Sequence, residues 1–218
     1  MNSPQDQLKA FWDARYAAAD YVYGTGPNTF LTTGMPPLAP GARVLCLADG
    51  EGRNGVWLAR QGYRVTSVDI AAQGIAKARQ LAAAQGVALD LRTGDVTRMP
   101  LGVDAWDAVV SIFLHLPPAP RRALHQRVAQ ALRPGGFFVW EAYGPGQLGQ
   151  PTGGPQSAAL LPAVQDVADD FAQIGCTVLH QWSGWREVRE GALHSGRGAV
   201  TQFIARKTGK DITEETAP

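Results

Sequence analysis

Val44-Leu45-Cys46-Leu47-Ala48-Asp49-Gly50-Glu51-Gly52-Arg53-Asn54-Gly55 leads, through a helical stretch, into Val65-Thr66-Ser67-Val68-Asp69-Ile70. An apolar run ends in a Gly-x-Gly turn. A helical pattern follows, and a second apolar run ends in a carboxylate. This is the pattern of one β-α-β unit with a nucleoside site at its carboxyl edge. Glycines let backbone amides come close to a ligand. Asp69 is placed to accept hydrogen bonds from vicinal ribose hydroxyls.

Outward from this unit, strands and helices alternate. The patterning predicts strands over 43–47, 64–69, 88–92, 106–113, 137–141, 177–179 and 197–205. It predicts helices over 4–20, 54–61, 72–85, 121–132 and 158–173. Strand 106–113 is mostly apolar and does not alternate, as a parallel strand buried on both faces should be. Alternation of this kind implies a largely parallel sheet with helices on both faces. The last two strands are separated only by a turn near Glu190-Gly191, so they should form an antiparallel hairpin. A Gly/Pro-rich stretch, Tyr143 to Pro155, leaves the carboxyl end of the fifth strand, where α/β proteins place functional loops.

The chain has 218 residues, 45% of them hydrophobic, with 20 basic and 19 acidic residues and a net charge of +1. That balance favours a small-molecule partner over nucleic acid or a membrane surface. The longest apolar runs are too short to span a bilayer, and the first sixteen residues lack the apolar core of a signal peptide. Cys46 and Cys176 both sit in apolar runs and read as buried thiols of a reducing, cytoplasmic compartment. No two histidines stand three or four apart, so no metal site is expected. No Gly-x-x-x-x-Gly-Lys-Ser/Thr is present, which argues against a P-loop.

Six features together resemble class I S-adenosylmethionine (SAM)-dependent methyltransferases. They are the glycine turn Gly50-Glu51-Gly52-Arg53-Asn54, Val68-Asp69, Gly94-Asp95, and Asp107-Ala108-Val109-Val110-Ser111. To these add Leu132-Arg133-Pro134-Gly135-Gly136 and the N-terminal pattern Trp12-Asp13-Ala14-Arg15-Tyr16, Tyr23-Gly24, Pro27-Asn28. Within that family the chain looks most similar to the small bacterial branch related to tellurite-resistance and thiol methyltransferases. The resemblance implies a Rossmann-like, doubly wound, seven-stranded sheet in a single domain over 1–206. It also implies an N-terminal helical lid over about 4–35; the polar stretch 207–218 reads as a flexible tail. It implies SAM as cofactor, S-adenosylhomocysteine (SAH) as product, and a monomer or homodimer. Asp49, Gly50, Gly52 and Asn54 would lie by the methionine part of SAM, Asp69 and Ile70 by the ribose, Asp95 and Val96 by the adenine. Ser111 and Ile112 would lie beside the sulfonium. The family usually carries an acidic residue where this chain has Cys46 and a glycine where it has Ala48. A cysteine is the poorer hydrogen-bond acceptor, so Asp49 is the candidate to take over the polar role.

His115, Glu141 and Tyr143, near the ends of the fourth and fifth strands, are the candidate catalytic groups, as base or as orienters of an acceptor. Trp12, Tyr16 and Tyr23 could form an aromatic lid, with His194 and Arg197 reaching the acceptor from the last strand. The acceptor is expected to be a small molecule, a thiol or other chalcogen among the choices. Two other classes fit the same residues: a non-catalytic or SAM-degrading SAM/SAH-binding protein, and an NAD-dependent Rossmann oxidoreductase.

Overall fold

The computed structural model describes residues 3–209. In chain order the elements are α1 (Pro4–Tyr16), α2 (Thr29–Gly34), β1 (Arg43–Leu47), α3 (Arg53–Arg60), β2 (Arg64–Asp69), α4 (Ala72–Ala84), β3 (Asp90–Thr93), β4 (Trp106–Ile112), α5 (Pro118–Ala131), β5 (Leu132–Tyr143), α6 (Val164–Phe171), β6 (Cys176–Arg189) and β7 (Ser195–Lys207). The seven strands form one sheet in the order β3-β2-β1-β4-β5-β7-β6. The first five run parallel, and β7 lies antiparallel to both β5 and β6.

Strand β1 shows how the sequence makes two cores from one strand. Successive side chains point to opposite faces. Leu45 and Leu47 join Val109, Phe138 and Trp140 under Leu124, Val128 and Phe171 of α5 and α6. Val44 and Cys46 join Val65, Ala108 and Val110 under Phe30, Leu31 and Leu58 of α2 and α3. Because both faces are covered, the run is apolar without alternation. Cys46 and Cys176 are both free thiols. No helix among the described residues is long and apolar enough to cross a membrane.

Several element boundaries differ from the sequence expectation, each for a local reason. Helix α2 had no strong pattern, being six residues between turn signals; the Asn28 side chain caps it by accepting from the Leu31 amide at 2.9 Å. Helix α5 starts at Pro118, not three residues later, because proline is favoured in the first turn. The helix expected over 158–173 divides into a 3-10 turn, Ala158–Leu160, and α6. Pro162 biases Leu161 away from helix at that point. Strand β6 runs fourteen residues rather than three. As the edge strand it exposes most of its side chains, so polar residues hide its periodicity. Residues 210–218, most of the expected tail, lie outside the described residues.

Candidate functional site

The sheet order reverses direction between β1 and β4, which makes the carboxyl ends of these strands the natural crevice. The glycine turn leaves β1 there. Ala48, Gly50 and Gly52 all adopt left-handed backbone, with φ of 52°, 58° and 86°. A Cβ on Gly52 would lie 2.5 Å from the Ala78 Cβ, so the close approach of the turn to α4 requires glycine. Ala48 occupies the conformation that a glycine would take more easily. Relief of about 1 kcal/mol of left-handed strain is offset by about 0.4–1 kcal/mol of extra chain entropy when unfolded. Ala48→Gly is therefore expected to change stability by less than about 0.5 kcal/mol, measurable by denaturant unfolding.

Asp49 is the carboxylate that orders the turn. Its Oδ2 accepts from the Gly55 amide at 3.1 Å and the Ser67 hydroxyl at 2.5 Å, tying the turn to α3 and β2. Asp69 Oδ2 accepts from the Gly50 amide and Oδ1 from the Ala71 amide, both at 2.8 Å. Burial pushes both carboxyls up to about 6, against the pull of these hydrogen bonds. Each folded value lies above the unfolded one, so both groups make the fold less stable as pH rises from about 4 to 6.

The other expected cofactor residues cluster at the same edge. Ser111, buried, pairs with Leu47 across β1 and β4, one residue before the turn begins; Ile112 follows it. Ile70 lies half-buried directly after Asp69. Val96 packs its side chain into the core. Asp95 is held as a turn residue: Oδ1 accepts from the Thr97 amide and hydroxyl at 2.8 and 2.7 Å. Its Oδ2 accepts from Gln5 Nε2 of α1 at 2.9 Å, so the N-terminal helix reaches the turn after β3.

The chain's first segment roofs the site. Tyr16 is buried, and its hydroxyl lies 2.7 Å from where a Cβ on Gly50 would sit. Trp12 stacks on it with ring centroids 5.5 Å apart. The Lys77 ammonium, from α4, clamps the segment by donating to Ala18 and Asp20 carbonyls at 2.8 and 2.6 Å and to Glu51 at 2.6 Å. The tip of the β6–β7 hairpin meets this roof, where the Ala192 amide donates to the Val22 carbonyl at 3.1 Å. There His194 sits among Tyr23, Phe113 and Tyr143, at centroid distances of 4.5, 4.7 and 5.2 Å. Phe113 takes φ of 56°, a strained conformation for an aromatic residue, where the chain leaves β4.

Beneath this roof lies a buried charge network. Arg53 pairs with Glu190; Arg186 pairs with Glu190 at 2.6 Å and with Glu141. Asn28 Nδ2 donates to Glu141 at 2.7 Å and to Glu190 at 2.9 Å, and Gln202 donates to Glu141 at 2.6 Å. Asn54 accepts from the Asn28 amide at 2.9 Å. The network corrects the reading of Glu141 as a base. It is fully buried and both its oxygens are committed, so it braces β5 to the roof. Arg197 is likewise outside the ring cluster: it is exposed, its guanidinium 5.2 Å over the Trp185 ring. Tyr143 contributes its ring as a wall, while its hydroxyl donates to the Thr152 carbonyl at 3.0 Å. Burial holds that phenol well above its ordinary range.

His115 Nδ1 lies 2.9 Å from the Leu160 carbonyl, and its Nε2 is sealed from solvent with no partner among the described residues, as is His194 Nδ1. Burial lowers His115 to about 4 and His194 to about 3, so both rings are neutral near pH 7. Sequence reading missed Arg53, Lys77, Arg186, Glu190 and Gln202. The one available signal was the pair of charges, Glu51 and Arg53, alternating with glycines in a turn that must be buried.

Residues 44–136 match the family model described as a methyltransferase domain. Curated relatives are 27–33% identical over 108–131 residues, and the chain spans about half their length. Among solved structures, one described for the conversion of a disulfide bond into a thioacetal group during echinomycin biosynthesis aligns with a TM-score of 0.74 at 18% identity, covering 94% of this chain and 93% of that one. TehB from Haemophilus influenzae aligns at 0.68 and 17% identity, covering 92% and 67%. The magnesium protoporphyrin IX methyltransferase of Synechocystis, solved with bound SAH, aligns at 0.69 and 17% identity, covering 94% and 100%. Residues 44–136 are therefore similar to a methyltransferase domain, and the chain shares the fold of these SAM-dependent methyltransferase structures. The antiparallel β7 between β5 and β6 also departs from the 3-2-1-4-5-6 order of dinucleotide-binding Rossmann sheets, which weighs against the NAD reading.

Proposed function

We propose that this chain is a SAM-dependent methyltransferase acting on a small soft nucleophile of the thiol or heavier chalcogen class. The observation that carries the reading is the turn Ala48–Gly52 held beneath Tyr16, with buried Asp69 at the end of the adjacent strand. The residues fit the cofactor: Gly50 and Gly52 admit its amino-acid part, Asp69 its ribose, and Asp95 with the Val96 backbone its adenine. When bound, SAM supplies a methyl group already activated on a sulfonium. The aromatic faces of Tyr16 and Trp12 suit a cation there.

The chain's remaining task is to orient the acceptor and exclude water. Among the described residues no base strong enough to deprotonate an amine or hydroxyl beforehand serves the site: Glu141 is ion-paired, and His115 and His194 are neutral, weakly basic imidazoles, able to receive a proton only as the acceptor is alkylated. That suits sulfur or selenium, whose nucleophilicity is intrinsic, better than an amine or hydroxyl. Transfer of a tritiated methyl from SAM to a panel of small thiols, selenols, amines and phenols tests this. Transfer confined to the amines or phenols contradicts the acceptor class, and SAM binding without transfer to any acceptor favours a non-catalytic binder.

The ribose contact makes a pH prediction. Asp69 must be ionised to accept both ribose hydroxyls, and burial has raised it to about 6. The SAM dissociation constant should be flat above pH 7 and rise below pH 6, toward about tenfold per unit. Calorimetry at pH 5, 6 and 7.5 measures it; an affinity that is constant to pH 5 contradicts the contact.

A further inference from the structure

We infer that His115 takes the proton of the methyl acceptor, and that the site binds its acceptor as a neutral protonated X–H, a thiol or selenol, rather than as its anion. This deepens the methyltransferase reading above and rests on it.

Three observations place His115 in this role. First, its ring is fixed in one tautomer. A carbonyl can only accept, so the 2.9 Å contact between Nδ1 and the Leu160 oxygen puts the ring's proton on Nδ1. Nε2 is then a bare lone pair. Second, that lone pair is sealed from solvent and has no hydrogen-bond partner among the described residues. A buried acceptor left unpaired is costly, and a ligand that donates to it recovers the loss. Third, the ring belongs to an aromatic cluster beside the carboxyl end of β4. It stands three residues beyond the end of β4, its plane 11° from that of Tyr143 and its centroid 6.0 Å away, on the side where Phe113, Tyr143 and His194 converge. The Leu160 carbonyl belongs to the 3-10 turn after the Gly/Pro-rich stretch. That loop therefore sets the tautomer of the ring.

The reaction balances in charge as well as in atoms. The bond formed joins the acceptor sulfur to the methyl carbon; the bond broken joins that carbon to the sulfonium sulfur, which keeps the electron pair. The acceptor's proton moves to His115 Nε2. A positive charge is present before transfer on the sulfonium and after it on the imidazolium, so the enclosed site never changes its net charge. The imidazolium returns its proton to water when product leaves. The other titratable or charged groups around this space are His194, Tyr23, Tyr143, Arg15, Arg53, Arg186, Glu141 and Glu190. The last four are locked in ion pairs, and Arg15 donates to the Tyr23 hydroxyl at 3.0 Å.

The test uses phenylmethanethiol, a thiol that stays protonated at pH 8, and the SAH-loaded protein. Calorimetric titration in two buffers of different ionisation enthalpy counts the protons exchanged on binding. Capture of the neutral thiol exchanges none; capture of the thiolate releases close to one per thiol bound. Release of a proton, or no binding at all, overturns the inference. In turnover at saturating SAM, kcat/KM for this thiol should be flat from pH 7 to 8.5. His115→Phe should lose about 10²-fold and then climb tenfold per pH unit with the thiolate, while binding SAM as tightly as the parent. A parent profile that itself climbs with thiolate overturns the role of His115 but leaves the methyltransferase reading intact. Absence of SAM binding defeats that reading instead.

Discussion

Replacing Asp69 by alanine is expected to weaken SAM binding by about 2–4 kcal/mol, roughly 30- to 800-fold. The range comes from two hydrogen bonds to a charged acceptor at about 1.5–3 kcal/mol each, partly compensated by water. The structure adds a second reason for a large effect. The same carboxylate accepts from the Gly50 and Ala71 amides, so it shapes the turn in addition to the proposed ribose contact. Asp69→Asn separates the two roles. Its amide keeps the size and one acceptor oxygen, so a folded Asp69→Asn that still binds SAM poorly isolates the lost charge. An alanine variant with parental affinity, measured by calorimetry, contradicts the placement of the nucleoside.

Glu190→Ala should be the most destabilising single change in the roof. Glu190 is almost fully buried and answers two guanidinium groups, Arg53 and Arg186, besides Asn28. Burial raises its carboxyl, but Arg53 and Arg186 outweigh that and hold it below the usual range. Its stabilisation is therefore present at neutral pH and lost on acidification, opposite in sign to Asp49 and Asp69. Removing one member of a buried ion pair leaves uncompensated charge and costs about 3–5 kcal/mol. At about 2–4 °C per kcal/mol for a chain of this size, the melting temperature should fall by roughly 6–20 °C. A fall under about 2 °C would mean that the network is solvated and does not fasten the hairpin tip to the glycine turn.

The parts of this architecture that were legible in the sequence are those written in local pattern. Strands β1, β2 and β4 are buried on both faces, so each is a mostly apolar run without strict alternation. The turn needs glycine at 50 and 52, and Asp69 ends the second run. What stayed hidden is written in contacts between distant segments. Glu141 looked free because Arg186 and Gln202 are brought to it only by the pairing of β5, β6 and β7, 45 and 61 residues away along the chain. Arg197 was misplaced because alternation along β7 could not be phased without knowing which face the hairpin turns inward. Strand β6 was truncated because an edge strand with polar side chains carries little period-two signal. His115 could be read as a base or as a ligand of a backbone carbonyl; its two ring nitrogens divide these roles, a distinction no sequence carries.

The central claim is that the β1–β2 edge is a SAM site, and calorimetry of the purified protein with SAM, SAH and NAD, each at pH 7.5, tests it most directly. The account predicts micromolar binding of both SAM and SAH and none of NAD, with both affinities falling together in the Asp69→Ala variant. Binding of NAD alone, or of none of the three, would contradict it.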